Sequence, residues 1–148
     1  MGSEDIEGFI KRLCGTHVAS EADLRPCSEE DFAILRDVHI DLPLSYRHLM
    51  LTMGRGAGTF KQGTDFFFPD NMNLNADAAI LLEENAEPFR LPEDVFVFSM
   101  HQGYEFNYFS LKQGDDPPVY QYIEGSGVPK MMWRSFTRFL ENSLDSQI

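Results

Sequence analysis

The stretch FVFSMHQGYEFNYFSL, Phe96–Leu111, decides the fold. Two aromatic runs flank a polar knot, His101-Gln102-Gly103. A short glycine-containing link between alternating runs is a β-hairpin signature, with Gly103 supplying a positive φ or a bulge. In the first run, Phe96, Phe98 and Met100 alternate with Val95, Val97 and Ser99. Both sets are mostly apolar, which predicts a central strand covered on both faces. In the second run, Tyr104, Phe106 and Tyr108 share one face, and Glu105, Asn107 and Phe109 the other. His101 and Gln102 then project from a strand end, where a side chain satisfies backbone groups or meets a partner.

Moving towards the C-terminus, Gly114–Asp116 reads as a turn, Val119–Ile123 as a third strand, and Gly125–Gly127 as another turn. MMWRSFTRFLENSL then passes from a short strand into a closing helix, with Trp133, Phe136, Phe139 and Leu140 buried. Phe96, Phe98, Phe106, Trp133 and Phe136 are expected in one core.

Towards the N-terminus the period changes from two to 3.6. Ile6, Phe9, Ile10 and Leu13 form one helical stripe, with Ser3 as its expected N-cap and Gly15 as its stop. THVASEADLRP reads as a loop. Ser28 and Asp31 have the spacing of a capping box, and Phe32 and Leu35 mark the inner face of the helix that follows. In DLPLSYRHLMLTMG, Pro43 sits early in a helix, Tyr46, Leu49, Met50 and Met53 share a face, and Gly54 closes it. TDFFFP is a short strand candidate. Asn75 is placed to cap a helix over 76–85, which Pro88 ends. The sum is one α+β domain over 1–148. Helices span 3–53, and a mostly antiparallel sheet spans 59–133 with an inserted helix near 75–85. A C-terminal helix over 135–145 packs on that sheet together with the N-terminal helices.

The chain has 148 residues and is 43% hydrophobic, enough for one core without staples. Two cysteines, Cys14 and Cys27, make no disulfide framework. The N-terminal segment is acidic and amphipathic rather than a signal peptide, and no apolar run is long enough for a membrane span. These features point to a cytoplasmic protein. A formal net charge of -12 argues against nucleic acid as a ligand and suits a basic protein partner, although acidity also serves solubility.

Sites of chemistry are sparse. Cys14 and His17 stand as C-x-x-H with Cys27 downstream, but a fourth zinc ligand is lacking nearby. GRGAG follows a helix rather than a strand, so it reads as a cap and loop, not a phosphate cradle. His17, His39, His48 and His101 lie in no nucleophile motif. Neither a cofactor nor a metal is expected. The candidate partner-binding residues lie at turns and strand ends: Asp65 with Asp70; His101, Gln102, Tyr104 and Glu105 at the hairpin; Asp115 with Asp116; and Tyr120.

DLPLSYRHLMLTMGRGAG is similar to the Leu-Pro-x-x-Tyr-x-x-Leu helix and glycine loop of the SUKH superfamily, the group of the yeast cell-wall assembly regulator. VFVFSMHQGYEFNYF resembles that family's central strand pair, and SFTRFLENSL its closing helix. The resemblance covers the chain from about Ser28 onward. It implies an α+β domain that binds rather than catalyses, in many bacterial members as an immunity protein against a toxin, often a nuclease. Its Leu42, Pro43, Tyr46 and Leu49 pattern is structural, and no catalytic or binding residue carries over. Taken with the net charge of -12, this suggests a basic toxin domain as the partner, and the chain is expected to be a monomer or weak homodimer. An intracellular scaffold, or an enzyme with a cryptic site around His101 or His48, are the alternatives.

Overall fold

A computed structural model describes residues 2–38 and 41–148 of the chain; His39 lies outside them. The order is α1 (Gly2–Cys14), a 3-10 turn (Glu21–Asp23), β1 (Leu24–Arg25), α2 (Glu29–Val38), α3 (Leu44–Met53), β2 (Gly56–Ala57) and β3 (Thr64–Asp65). It continues with α4 (Leu74–Glu84), β4 (Val95–His101), β5 (Glu105–Ser110), β6 (Val119–Ile123), β7 (Lys130–Trp133) and α5 (Phe136–Asp145). A five-stranded sheet in the order β3-β4-β5-β6-β7 pairs antiparallel throughout. The segment expected as a loop before α2 instead holds the 3-10 turn and β1, which pairs with β2 in a small second sheet.

The sheet is covered on both faces, as the two apolar sets of β4 require. On one face α1, α2, α3 and α5 pack Phe9, Leu35, Tyr46, Leu49 and Phe136 against Phe96, Phe98 and Phe109. On the other, α4 packs Leu74, Ala78, Leu81 and Leu82 against Val97, Met100, Phe106 and Tyr122. There are therefore two cores rather than one, and Phe106 lies across the sheet from Phe96, Phe98, Phe136 and Trp133. The cause is local. The β4–β5 register slips between Val97 and Ser99, so Phe98 is an extra residue in its strand. Strict alternation would keep Met100 with Phe98; the bulge sends it to the α4 face.

The helix ends follow from short-range chemistry. Ser28 and Asp31 close the capping box: Asp31 N–H donates to Ser28 Oγ and Ser28 N–H to Asp31 Oδ2, each at 3.0 Å. Helix α1 begins at Gly2, so Ser3 lies within its first turn rather than before it. Pro43 is the residue preceding α3, not its first helical position. Gly54 caps α3; a Cβ there would strike Cys27 Sγ and the Met50 carbonyl. Helix α4 stops before Pro88, at a left-handed Ala86 (φ 52) whose N–H bonds Glu83 O while Glu87 N–H bonds Leu82 O.

Asn75 is not a cap. It lies inside α4, where its Nδ2 donates to Val95 O at 2.9 Å and its Oδ1 accepts from Val97 N–H at 2.8 Å. Strand β3 reaches only Met100 and His101 of β4, so this carboxamide stands where a longer β3 would have paired.

Candidate functional site

The hairpin end of the sheet is where most of the sequence-selected residues meet, and it separates two different surfaces. Gln102 and Gly103 both have positive φ (49 and 75), so the knot is a turn with two left-handed residues, one more than the glycine alone suggested. Its first residue, His101, pairs with Thr64 on β3 and with Glu105 on β5. The Thr64 hydroxyl and His101 Nδ1 are 2.8 Å apart, and the Tyr104 ring stands edge-on to the imidazole. His101 is thus held by a hydroxyl and an aromatic ring at a strand end.

On the α4 face the turn borders an acidic groove of about 290 Å3, lined by Asp65, Asp77, Ile80, Leu81, Glu84, Met100 and Gly103. Asp65 comes from β3, opposite Met100. Asp77, Ile80, Leu81 and Glu84 come from one stripe of α4 at i, i+3, i+4, i+7. Partial burial, then the fields of Asp70 and Asp77, push the Asp65 carboxyl above the usual carboxylate range. Among the described residues no cation forms an ion pair with Asp65, Asp70, Asp77 or Glu84. Ile80 is 54% exposed, an apolar side chain left open among these carboxylates.

On the opposite face lies a larger cavity of about 550 Å3, lined among others by Lys61, Thr64, Glu105, Gln121, Trp133 and Asn142. Behind it, Gln121 donates to Asn107 Oδ1 at 3.1 Å, and Asn107 reaches Ser99 Oγ at 3.5 Å.

A family model described as SMI1-KNR4 cell-wall, of the SUKH group, matches residues 34–140. The chain belongs to this family. A search among curated proteins finds no match. In this SUKH domain the matched span runs from within α2 into α5, and so contains the acidic groove and most of the cavity lining, while Asn142 lies just beyond it. The Leu-Pro-x-x-Tyr-x-x-Leu stretch does structural work here. Pro43, Tyr46 and Leu49 are buried, and the Tyr46 ring meets Phe96, Phe109 and Phe136 while its hydroxyl accepts from Asn71 Nδ2.

The remaining sequence-selected residues do not gather at one edge. Asp115 and Asp116 lie at the far end of β5, about 20 Å from the turn at ~3.3 Å per residue. Their loop joins two helices: Asp115 O accepts from Ser45 N–H at the start of α3, and Asp116 Oδ1 accepts from Thr137 N–H at the start of α5, at 2.9 and 3.0 Å. Asp116 is therefore engaged as a helix cap. Tyr120 is half-buried and stacks on Tyr108 with centroids 5.2 Å apart. Asp77, Ile80 and Glu84 escaped the sequence reading, though their helical spacing with Leu81 was a usable signal. Lys61 had none, because a loop far from β5 in sequence delivers it.

Proposed function

We propose that this SUKH domain is an immunity-type, protein-binding module that neutralises a basic toxin domain, non-catalytically, through the groove between α4 and the β3–β4 end. The observation that carries this is the company Ile80 keeps. An exposed apolar side chain stands among Asp65, Asp77 and Glu84, which have no ion-pair partner among the described residues. A basic contact surface would relieve the repulsion around Asp65, and an apolar residue on it would cover Ile80. Tyr104, exposed at the adjoining turn, extends the contact. A nuclease surface that grips phosphate has the required positive charge. Asp65 and the hairpin residues Gln102 and Tyr104 belong to this reading, with Asp70 adding to the field.

The test uses the toxin domain encoded beside this chain's gene. Co-expression of the chain should restore growth, and association of the two purified proteins should slow by about tenfold or more as salt rises to about 0.5 M. The double variant Asp65→Asn/Asp77→Asn should associate more slowly and with a weaker salt dependence. An association rate indifferent to salt, or a partner whose contact surface is net negative, refutes the electrostatic account. Absence of a neighbouring toxin gene counts against the immunity role.

A further inference from the structure

The cavity on the face opposite the acidic groove contains a cation and an anion that do not close on each other. Lys61 and Glu105 both line it. Among the described residues no carboxylate lies within 4.0 Å of the Lys61 ammonium, and Glu105 acts on it only through its longer-range field. Lys61 is anchored beside the cavity through its main chain. Its backbone is left-handed (φ 55), its N–H donates to Gln147 Oε1 at 2.8 Å, and Gln147 Nε2 donates in turn to Thr59 O at 2.9 Å. Its ammonium lies over the Phe139 ring, 5.0 Å from the centroid. Burial lowers the Lys61 pKa, as expected for a half-buried ammonium without an anion at contact distance. Glu105 is fixed on its strand by pairing with His101 on one side and Ile123 on the other.

A half-buried charge without a contact partner is costly. A cavity with separated charges of both signs is complementary to a ligand carrying the same two signs reversed. The rest of the lining agrees with a small polar guest: Gln121 and Asn142 offer amides, Thr64 a hydroxyl, and Trp133 an aromatic wall. We propose that this cavity binds a small zwitterion of the α-amino-acid class, with its carboxylate on Lys61 and its ammonium on Glu105. The site is independent of the acidic groove, which lies across the sheet and takes a macromolecule.

Trp133 is the chain's single tryptophan and lines the cavity, so its emission reports occupancy. The probes are glycine, L-leucine and L-glutamine, each titrated to about 20 mM, a range suited to millimolar affinity. At least one should give a saturable change in emission. Its N-acetyl and carboxamide forms, each lacking one charge, should bind about tenfold more weakly or worse. Lys61→Met and Glu105→Gln should each weaken binding of the intact amino acid by a similar factor while the variants keep a cooperative melt. Two results on the unaltered protein overturn the proposal. One is no saturable change with any amino acid. The other is acetate or methylamine binding as well as the zwitterion, which shows that a single charge suffices.

Discussion

Replacing Asn75 by alanine tests whether a helix side chain completes the sheet. The Asn75 carboxamide holds Val95 O at 2.9 Å and Val97 N–H at 2.8 Å, and both valines are buried, at 3% and 0% exposure. Nothing else among the described strands pairs with that side of β4 at these residues, since β3 ends its pairing at Met100. Asn75→Ala leaves one buried donor and one buried acceptor without partners. At about 1–3 kcal/mol for each stranded group, the loss is about 2–6 kcal/mol, discounted towards the lower figure if water enters the space vacated by the amide. For a chain of this length each kcal/mol moves the melting temperature by about 2–4 °C, so a fall of at least about 4 °C is expected. Urea denaturation should show a lower midpoint with an unchanged slope, because the same surface is exposed on unfolding. Amide exchange supplies the residue-level reading: Val97 should lose protection while Phe109, on the other side of β4, keeps its own. Asn75→Asp should also destabilise, since a carboxylate can accept from Val97 but faces the Val95 carbonyl without a proton to donate. A wild-type melting temperature together with a protected Val97 amide in Asn75→Ala would refute the reasoning.

Three further outcomes follow from the geometry. Phe98→Ala should cost about 3–5 kcal/mol in denaturant titration, because the ring is fully buried against Phe109, Phe136 and Phe139. Ala86→Gly should raise stability by about 0.5–1 kcal/mol, since alanine there occupies a left-handed conformation that glycine adopts without the Cβ penalty; an unchanged or lower melting temperature counts against that account of the α4 terminus. Asp65 keeps its proton to higher pH when folded than when unfolded, so its contribution to stability is full below the ordinary carboxylate pKa of about 3.9 and declines as pH rises through the raised folded value. Asp65→Asn should accordingly melt above the parent at pH 7, with the difference vanishing near pH 3, and should lose association rate with a basic partner; equal melting at both pH values sinks the crowded-carboxylate picture.

What could be read in the sequence was local. The Ser28–Asp31 box, the Tyr46–Met53 face, the β6 span and the Ser135 start of α5 each depend on residues within a turn or two of one another. The hairpin turn was legible for the same reason, down to the glycine that it needs. What the sequence concealed depends on register or on distant chain. Nothing in VFVFSM marks Phe98 as the bulged residue, yet that one insertion decides which core receives Met100. Asn75 has the composition of a cap and the job of a strand. Asp116 has the look of a solvated turn, and instead its carboxylate accepts from Thr137 N–H at the start of α5. The candidate site suffered from the same limit: Asp65 and Glu105 look alike as acids at neighbouring strand ends, but pleating sends them to opposite faces of the sheet, one to Asp77 and the other to Lys61.

The distribution of the negative charge strengthens the case for a directed field. Several carboxylates are spent within the fold. Glu141 and Asp145 of α5 grip Arg12 of α1, Asp31 holds both the α2 cap and Arg55, Glu29 meets Arg47, and Asp116 caps α5. Hydrogen bonds from Arg55 first, and then from the Ser28 backbone, bring the Asp31 carboxyl down to about 2, the sign of a carboxylate that is satisfied when charged. Asp65 shifts the other way: partial burial raises it first, and the fields of Asp70 and Asp77 add to that. The two shifts separate acids whose charge is used up inside the molecule from acids whose charge projects outward. Three of the arginines, Arg12, Arg47 and Arg55, are committed to pairs on the helical side of the sheet. The α4 side is left with Asp65, Asp70, Asp77 and Glu84 uncompensated by any described ion pair. A net charge of -12 spread evenly would aid solubility and little else. On the proposed reading, Asp65, Asp77 and Glu84 beside Ile80 at one rim of the sheet would give an approaching basic surface both a direction and a place to dock.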